Sequence, residues 1–302
     1  MKKIIIICGP TASGKTRVGV EIAKRFRGEI ISADSQQVWR GFDVGTAKPT
    51  REERAAIPHH LIDVADPSER FDAAQFVSLA DRAISEIISR NGTPFVVGGT
   101  GMYLRMLMHG ICEAPPRDED VRAELEAEIA SVGLPALHAR LSEIDPASAS
   151  RVSPNDRTRI VRALEIHALT GEAPSALRSA HGFAERRYEA LKIGLDLTRD
   201  ELYRRINARV DDMIARGLVA EVRLLLEKYG PGSPPFSAVG YKEILSHAGG
   251  KIDLAHAVEL MKQSTRRFAK RQLTWFRADQ EIRWFEAADI AGIVQAVKDF
   301  IV

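Results

Sequence analysis

The run Gly9-Pro10-Thr11-Ala12-Ser13-Gly14-Lys15-Thr16 has the spacing G-x-x-x-x-G-K-[ST]. That spacing holds phosphate when it links a strand to a helix. The glycines let the backbone curl so that its N–H groups point inward, and the helix N-terminus adds partial positive charge. Lys15 supplies a full charge to the phosphate oxygens, and the Thr16 hydroxyl is placed for Mg²⁺. The motif fits ATP, GTP or an organic diphosphate equally well.

Asp34 follows the β-branched run 29–33 and leads into Ser35-Gln36-Gln37. Ligands of open α/β sheets bind at the carboxyl ends of strands, so Asp34 should face the phosphate loop. It could act as a general base, cap a helix or hold a metal at second remove. The run 95–97 ends in Gly98-Gly99-Thr100-Gly101. Nucleotide hydrolases often carry a metal-binding aspartate after such a strand. None stands here, and Asp196 at the end of a later strand is a weak substitute. Thr100 offers a hydroxyl. His59-His60 lacks a third ligand at metal spacing, so a structural pair is expected.

These residues require a scaffold. Residues 3–8 read as a buried strand, 16–27 as a helix and 29–33 as a second strand. A glycine-punctuated loop follows at 41–49 and another loop at 58–67. Residues 71–90 read as a helix and 94–97 as a strand. This alternation predicts an α/β fold, a P-loop NTPase-like parallel sheet flanked by helices. Near Ala114-Pro115-Pro116 the pattern becomes helical, charged and poor in strand formers. An all-helical insertion domain is expected at 113–190, within a core of 1–112 plus 191–302, with a hinge near the two prolines. Strand character returns at 191–197. Helical character follows at 199–229 and 253–277, broken at 230–235, with an edge strand at 281–285.

The chain has 302 residues, 45% hydrophobic and 28% charged, with a net charge of +2. That composition excludes a disordered or fibrous protein. Charge clusters locally instead. Residues 262–277 hold six basic and no acidic side chains, with Arg266/Lys270 and Arg267/Arg271 at i,i+4 and with Phe268, Trp275 and Phe276 as docking aromatics. Arg151, Arg157, Arg159 and Arg162, with Arg122 nearby, form a second cluster, and Arg204, Arg205 and Arg209 a third. Three clusters suit a large polyanion such as RNA. Cys8 and Cys112 are too few and too far apart for a disulfide framework or a zinc site. No apolar run approaches a membrane span, and the run 4–8 is too short for a signal segment, so a cytoplasmic protein is expected.

In combination these motifs are recognisable. The phosphate loop, 29–38 (EIISADSQQV), 44–49 (VGTAKP), 58–63 (PHHLID) and 97–101 (VGGTG) resemble the tRNA dimethylallyltransferase family. So do 155–165 (NDRTRIVRALE), 240–243 (GYKE) and 265–276 (TRRFAKRQLTWF). The resemblance spans nearly the whole chain in the right order. It implies transfer of a dimethylallyl group from dimethylallyl diphosphate to the N6 amine of the adenosine just 3′ of the tRNA anticodon. It further implies Mg²⁺ as cofactor and an insertion that clasps the anticodon stem-loop, with the target base flipped into a channel. Asp34 would take a hydrogen bond or proton from the amine. Lys15, Thr16 and Arg209 would hold the diphosphate, with Thr100 near the reacting centre. Ser35, Gln36 and Gln37 would meet flanking bases. Thr158, Arg159, Ile160, Val161 and Arg162, together with Gly240, Tyr241, Lys242 and Glu243, would contact RNA. The basic residues Arg122, Arg266, Arg267, Lys270 and Arg271 join this RNA-facing set.

Three positions depart from the family pattern: Trp39 for a usual Tyr, Phe42 for a usual Met and Thr158 for a usual Gln. The lack of a C-terminal zinc-finger extension suggests a bacterial type, and the lack of an exposed apolar stripe suggests a monomer. Three rival readings are a P-loop kinase, an isopentenyltransferase of free adenine nucleotides, and an RNA-binding protein with a nucleotide switch. The arginine-bearing insertion argues against the first two. Nucleotide-dependent RNA affinity without donor turnover would be the mark of the third.

Overall fold

The computed structural model describes residues 1–112 and 114–301. The chain folds into two compact units, Met1–Met108 with Arg187–Val302, and His109–Arg186.

The larger unit is built on a six-stranded, wholly parallel sheet. Its strands are β1 (Lys3–Cys8), β2 (Gly28–Ser32), β3 (His59–His60), β4 (Thr93–Gly98), β5 (Glu189–Asp196) and β6 (Ile282–Glu286). They lie in the order β3-β2-β4-β1-β5-β6. Ile4, Ile5, Ile6 and Ile7 of β1 are at most 1% exposed, as expected for a strand covered on both faces. β1 is flanked by β4 on one side and β5 on the other. The strand order therefore reverses at β1, and the phosphate loop leaves its carboxyl end at the switch point, where such sheets bind ligands.

The helices before the second unit are α1 (Lys15–Arg25), α2 (Arg51–Ala56), α3 (Ala73–Ser89) and α4 (Gly101–His109). Helix α1 buries Val18, Ile22 and Ala23. Asp72 caps α3 by accepting from the backbone N–H groups of Ala74 and Gln75. The smaller unit consists of α5 (Glu119–Val132), α6 (Leu134–Ile144), α7 (Pro146–Ala149), α8 (Arg157–Thr170) and α9 (Pro174–His181). It has its own core of Leu125, Leu137, Leu141, Val152, Ile160, Val161 and Leu164. The larger unit resumes with α10 (Arg199–Ala215), α11 (Leu218–Tyr229), the 3₁₀ turn Pro234–Ser237, α12 (Tyr241–Ala248), α13 (Leu254–Arg277) and α14 (Ile290–Ile301).

Several local expectations need correction. β5 starts at Glu189 and not at residue 191, because Glu189 and Ala190 pair with Lys3 and Ile4. The helical run 199–229 divides at Gly217, which adopts φ 92. Helices α2 and α12 were not anticipated. The loop 41–49 is polar in sequence but packed in fact. Phe42 is fully buried between Phe236 and Tyr241, with ring centroids at 5.3 and 4.8 Å. Lys48 is also buried, its Nζ donating to Trp39 O, Asp43 Oδ1 and Asp63 Oδ1. His59 Nδ1 bonds Ile57 O, and His60 Nε2 bonds Glu29 Oε2, so the histidine pair is structural. Cys8 is a buried free thiol, and Cys112 Sγ donates to Leu177 O. No helix among the described residues is long and apolar enough to cross a membrane.

Candidate active site

The phosphate loop enters the first turn of α1 through Gly14, in the left-handed region at φ 92. Lys15 Nζ donates to Pro10 O at 2.7 Å. Ser13 Oγ is buried and has no hydrogen-bond partner among the described residues. A buried hydroxyl left unpaired costs free energy, so its presence inside the loop fits a site built for an oxygen-rich ligand. Thr16 occupies the first turn of α1. No group of three or more His, Cys, Asp or Glu among the described residues could hold a metal ion. Thr16 is the residue beside the phosphate loop that would offer a hydroxyl to a divalent ion carried by the ligand's own phosphate oxygens.

Asp34 stands just past β2. Its Oδ1 accepts from the N–H groups of Gln36 (2.8 Å) and Gln37 (3.4 Å), which fixes the carboxylate. Its Oδ2 has no hydrogen bond among the described residues. Arg209, on α10, likewise has no hydrogen bond or ion pair among the described residues. Burial pushes Lys15 down to about 8; the Asp34 charge opposes this and Arg209 adds to it. Burial also lowers Arg209, again opposed by Asp34. Lys15 and Arg209 are each half-buried, and both feel the Asp34 charge without an ion pair to it among the described residues. Residues 15, 34 and 209 come from three distant segments, and the fold brings them to one place.

Thr100 adjoins Asp34. Its Oγ1 accepts from Ser35 N at 3.0 Å, and its own N–H donates to Ala33 O at 3.2 Å. Gly98 makes this approach possible, since a Cβ there would lie 2.1 Å from Ala33 O.

Two residues that sequence reading missed complete the surroundings. Tyr103 is buried and stacks on Phe76 at 4.3 Å; burial and then the Asp34 charge raise its pKa. Gln272, buried on α13, bridges Thr11 N and Gly99 O. No spacing rule reveals a contact of that range.

The RNA-facing set divides. Arg267, Lys270 and Arg271 on α13 are exposed, as are Thr158 and Arg159 on α8 and Lys242 on α12. Arg266 is half-buried, bonded to Asn207 Oδ1 and lying over the Tyr203 ring. Others are buried or are held by a neighbouring side chain. Ile160 and Val161 are 0% and 1% exposed and belong to the helical unit's core. Tyr241 is buried, its hydroxyl donating to Glu221 Oε1, while Glu243 caps its own helix by accepting from Gly240 N. Gln37 is buried; its amide accepts from Ser32 Oγ and donates to Thr46 O and Ala47 O. Arg122 and Arg162 both bind Glu165, whose side chain is fully buried. Expected as RNA contacts, the buried Gln37, Ile160, Val161, Tyr241 and Glu243 build the scaffold, whereas Arg122 and Arg162 are partly exposed and held by Glu165. The aromatic docking of α13 also needs correction: Phe276 is buried, but Phe268 and Trp275 are 36% and 44% exposed. Lys262, expected without an acidic partner, pairs with Asp211 and Glu259.

Residues 37–279 match the family model described as IPP transferase, and residues 2–65 match that of isopentenyl transferase. A tRNA dimethylallyltransferase of Anaeromyxobacter sp. (strain Fw109-5) is 50% identical over 98% of this chain and 99% of its own. That of Geobacter metallireducens is 50% identical over 94% and 92%. The crystal structure of the tRNA isopentenylpyrophosphate transferase from Bacillus halodurans superposes with TM-score 0.74 at 44% identity, covering 100% of this chain and 96% of that one. The chain belongs to the IPP transferase family. A eukaryotic dimethylallyltransferase, described as acting on tRNA, superposes with TM-score 0.79 at 30% identity, covering 99% of this chain and 77% of that one. This member of the IPP transferase family packs Trp39 and Phe42 in one cluster with Val210, Met213 and Tyr241. Its unusual Thr158 is exposed on α8, where a shorter side chain costs reach and not packing.

Proposed function

We propose that the chain transfers the dimethylallyl group of dimethylallyl diphosphate to the N6 amine of the adenosine immediately 3′ of the tRNA anticodon. The products are N6-isopentenyladenosine and diphosphate. One observation carries this reading: Asp34 commits only one carboxylate oxygen to its own turn, and that turn is joined through Thr100 and Gln272 to the phosphate loop that carries Lys15. Lys15 and Arg209 suit a leaving diphosphate, and the carboxylate suits a nucleophile's proton.

As the allylic C–O bond breaks, the carbon gains positive character and the diphosphate gains negative charge. Lys15, held on Pro10 O, and Arg209, both half-buried, supply positive charge to meet it. The adenine amine is a poor nucleophile, since its lone pair is delocalised into the ring. Asp34 Oδ2 accepts an N–H of the amine while Oδ1 is held by the turn at Gln36 and Gln37. Once the N–C bond forms, the proton passes to Asp34. Thr100 borders the reacting centre through its bond to Ser35. Thr16 and the diphosphate oxygens would hold Mg²⁺, which would supply positive charge to the leaving group. A base within an RNA stem-loop must leave its stack to reach such a site. The exposed Arg267, Lys270 and Arg271 suit the RNA backbone. Arg151, Arg157 and Arg159 on the helical unit supply further cations for the anticodon stem-loop. The acceptor places the reaction in the cytoplasm, and a monomer suffices because one chain carries every residue invoked.

The test is release of diphosphate from dimethylallyl diphosphate with and without tRNA. Release that requires tRNA and is abolished by Asp34→Ala supports the reading. Phosphate transfer from ATP to a small acceptor, with no donor turnover, would replace it with the kinase reading. None of the relatives named above is a kinase.

A further inference from the structure

We propose that Gln272 is a positioning residue for this transfer, tying the phosphate loop to the Thr100 turn and thereby setting the spacing between donor and acceptor groups. The proposal rests on the transferase reading above.

The buried residues of α13 are Ala257, Met261, Ala269, Gln272 and Phe276. Gln272 is the one polar member of that apolar stripe. An amide placed there costs free energy unless both of its ends are paired. Both are paired: Oε1 accepts from Thr11 N at 2.8 Å and Nε2 donates to Gly99 O at 2.9 Å.

Each partner belongs to a rigid peptide plane whose other end serves the site. The peptide joining Pro10 and Thr11 gives its N–H to Gln272 and its carbonyl to Lys15 Nζ, at 2.7 Å. The peptide joining Gly99 and Thr100 takes Gln272 at its carbonyl, while its N–H donates to Ala33 O, the residue before Asp34. One side chain therefore orients Lys15 through one plane and the Asp34–Thr100 turn through the other.

The packing is close. A Cβ on Gly99 would lie 2.4 Å from Gln272 Nε2, and its next neighbours, Gln272 Cδ and Gly9 O, are each at 3.5 Å. One turn further along α13, Trp275 lies against Gly101, where an added Cβ would come within 2.2 Å of the indole. Helix α13 also presents Arg267, Lys270 and Arg271 to solvent.

The experiment is a double-mutant cycle on the full chain, with Gln272→Ala, Gly99→Ala and both together. It measures kcat with both substrates saturating, KM for the stem-loop, and the stoichiometry of diphosphate binding to count intact sites. Displacements of this kind cost on the order of 10- to 100-fold in rate. Each single variant should lose that much kcat per intact site, with KM for the stem-loop within about twofold of the wild type. In the double variant Gly99→Ala should add almost nothing, because its obstacle is gone and only Gly9 O remains, at 3.5 Å. Gln272→Glu keeps the side-chain size but sets a carboxylate against the Gly99 carbonyl. Its kcat relative to the wild type should rise as pH falls, because the protonated acid can again donate. Unchanged kcat per intact site in Gln272→Ala, or fully additive losses, would overturn the proposal. A wild-type chain with no turnover at all would remove the transferase reading and this proposal with it.

Discussion

The charge on Lys15 should govern donor capture, and pH is the perturbation that reads it. Its ordinary value is 10.5, and burial brings it down to about 8, with Asp34 pulling it back and Arg209 pushing it further down. Lys15 is therefore charged below about 8 and neutral above it, and it is the charged form that attracts diphosphate. Between pH 7 and pH 9 the charged fraction falls from roughly 0.9 to roughly 0.1, so kcat/KM for the donor should fall about tenfold. The ratio kcat/KM reports the free enzyme, whereas bound diphosphate holds the proton on Lys15. At saturating donor, kcat should therefore stay flat to higher pH. The assay is initial rate at low donor and saturating stem-loop across that range. Lys15→Arg, with a group that stays charged throughout, should give a lower but flat kcat/KM profile. A wild-type kcat/KM that stays level to about pH 9.5 would refute a Lys15 that loses its charge near 8, and with it the burial argument for its lowered pKa.

Asp34→Asn should lower kcat by roughly 10²- to 10⁴-fold, the usual worth of a positioned base, and leave inorganic diphosphate binding intact by calorimetry. Replacing Arg267, Lys270 and Arg271 together with Ala should weaken tRNA binding and reduce the slope of log affinity against log salt by about 2 to 3, as filter binding would show. Glu165→Gln should destabilise the helical unit by about 3 to 5 kcal/mol, because it leaves Arg122 and Arg162 without their buried partner. Burial of Glu165 would raise its pKa, but the hydrogen bonds from Arg122 and Arg162 overcome this and hold it at about 2, below the ordinary 4.5. Its contribution is thus complete above about pH 4.5 and is lost as pH falls toward 2, which thermal melts of wild type and variant across that range would register.

What could be read from the sequence followed from how local the information was. The phosphate loop was legible because its ligands are consecutive residues with fixed spacing. Asp34 was legible through its place at a strand end, a rule of parallel sheets. Arg209 was reached through resemblance, since nothing in its own helix points to Lys15 or Asp34. Gln272 was hidden because its bonds span 261 and 173 residues. The RNA-facing set was overdrawn where motif membership stood in for exposure. Ile160, Val161 and Leu164 repeat at helical spacing and mark a buried face. Glu243 stands three residues after Gly240, the spacing of a helix cap. Arg122 and Arg162 looked free because Glu165, which pairs with both, is itself hidden in the core.

The central claim is tested most directly by the chemistry of the acceptor. The protein would be incubated with Mg²⁺, dimethylallyl diphosphate and an anticodon stem-loop carrying adenosine just 3′ of the anticodon, and the digested RNA read by mass spectrometry. The expected result is one adenosine, at that position, heavier by a single dimethylallyl group, and its disappearance in Asp34→Ala. An unmodified stem-loop, beside consumption of ATP and phosphorylation of a small acceptor, would contradict the transferase assignment.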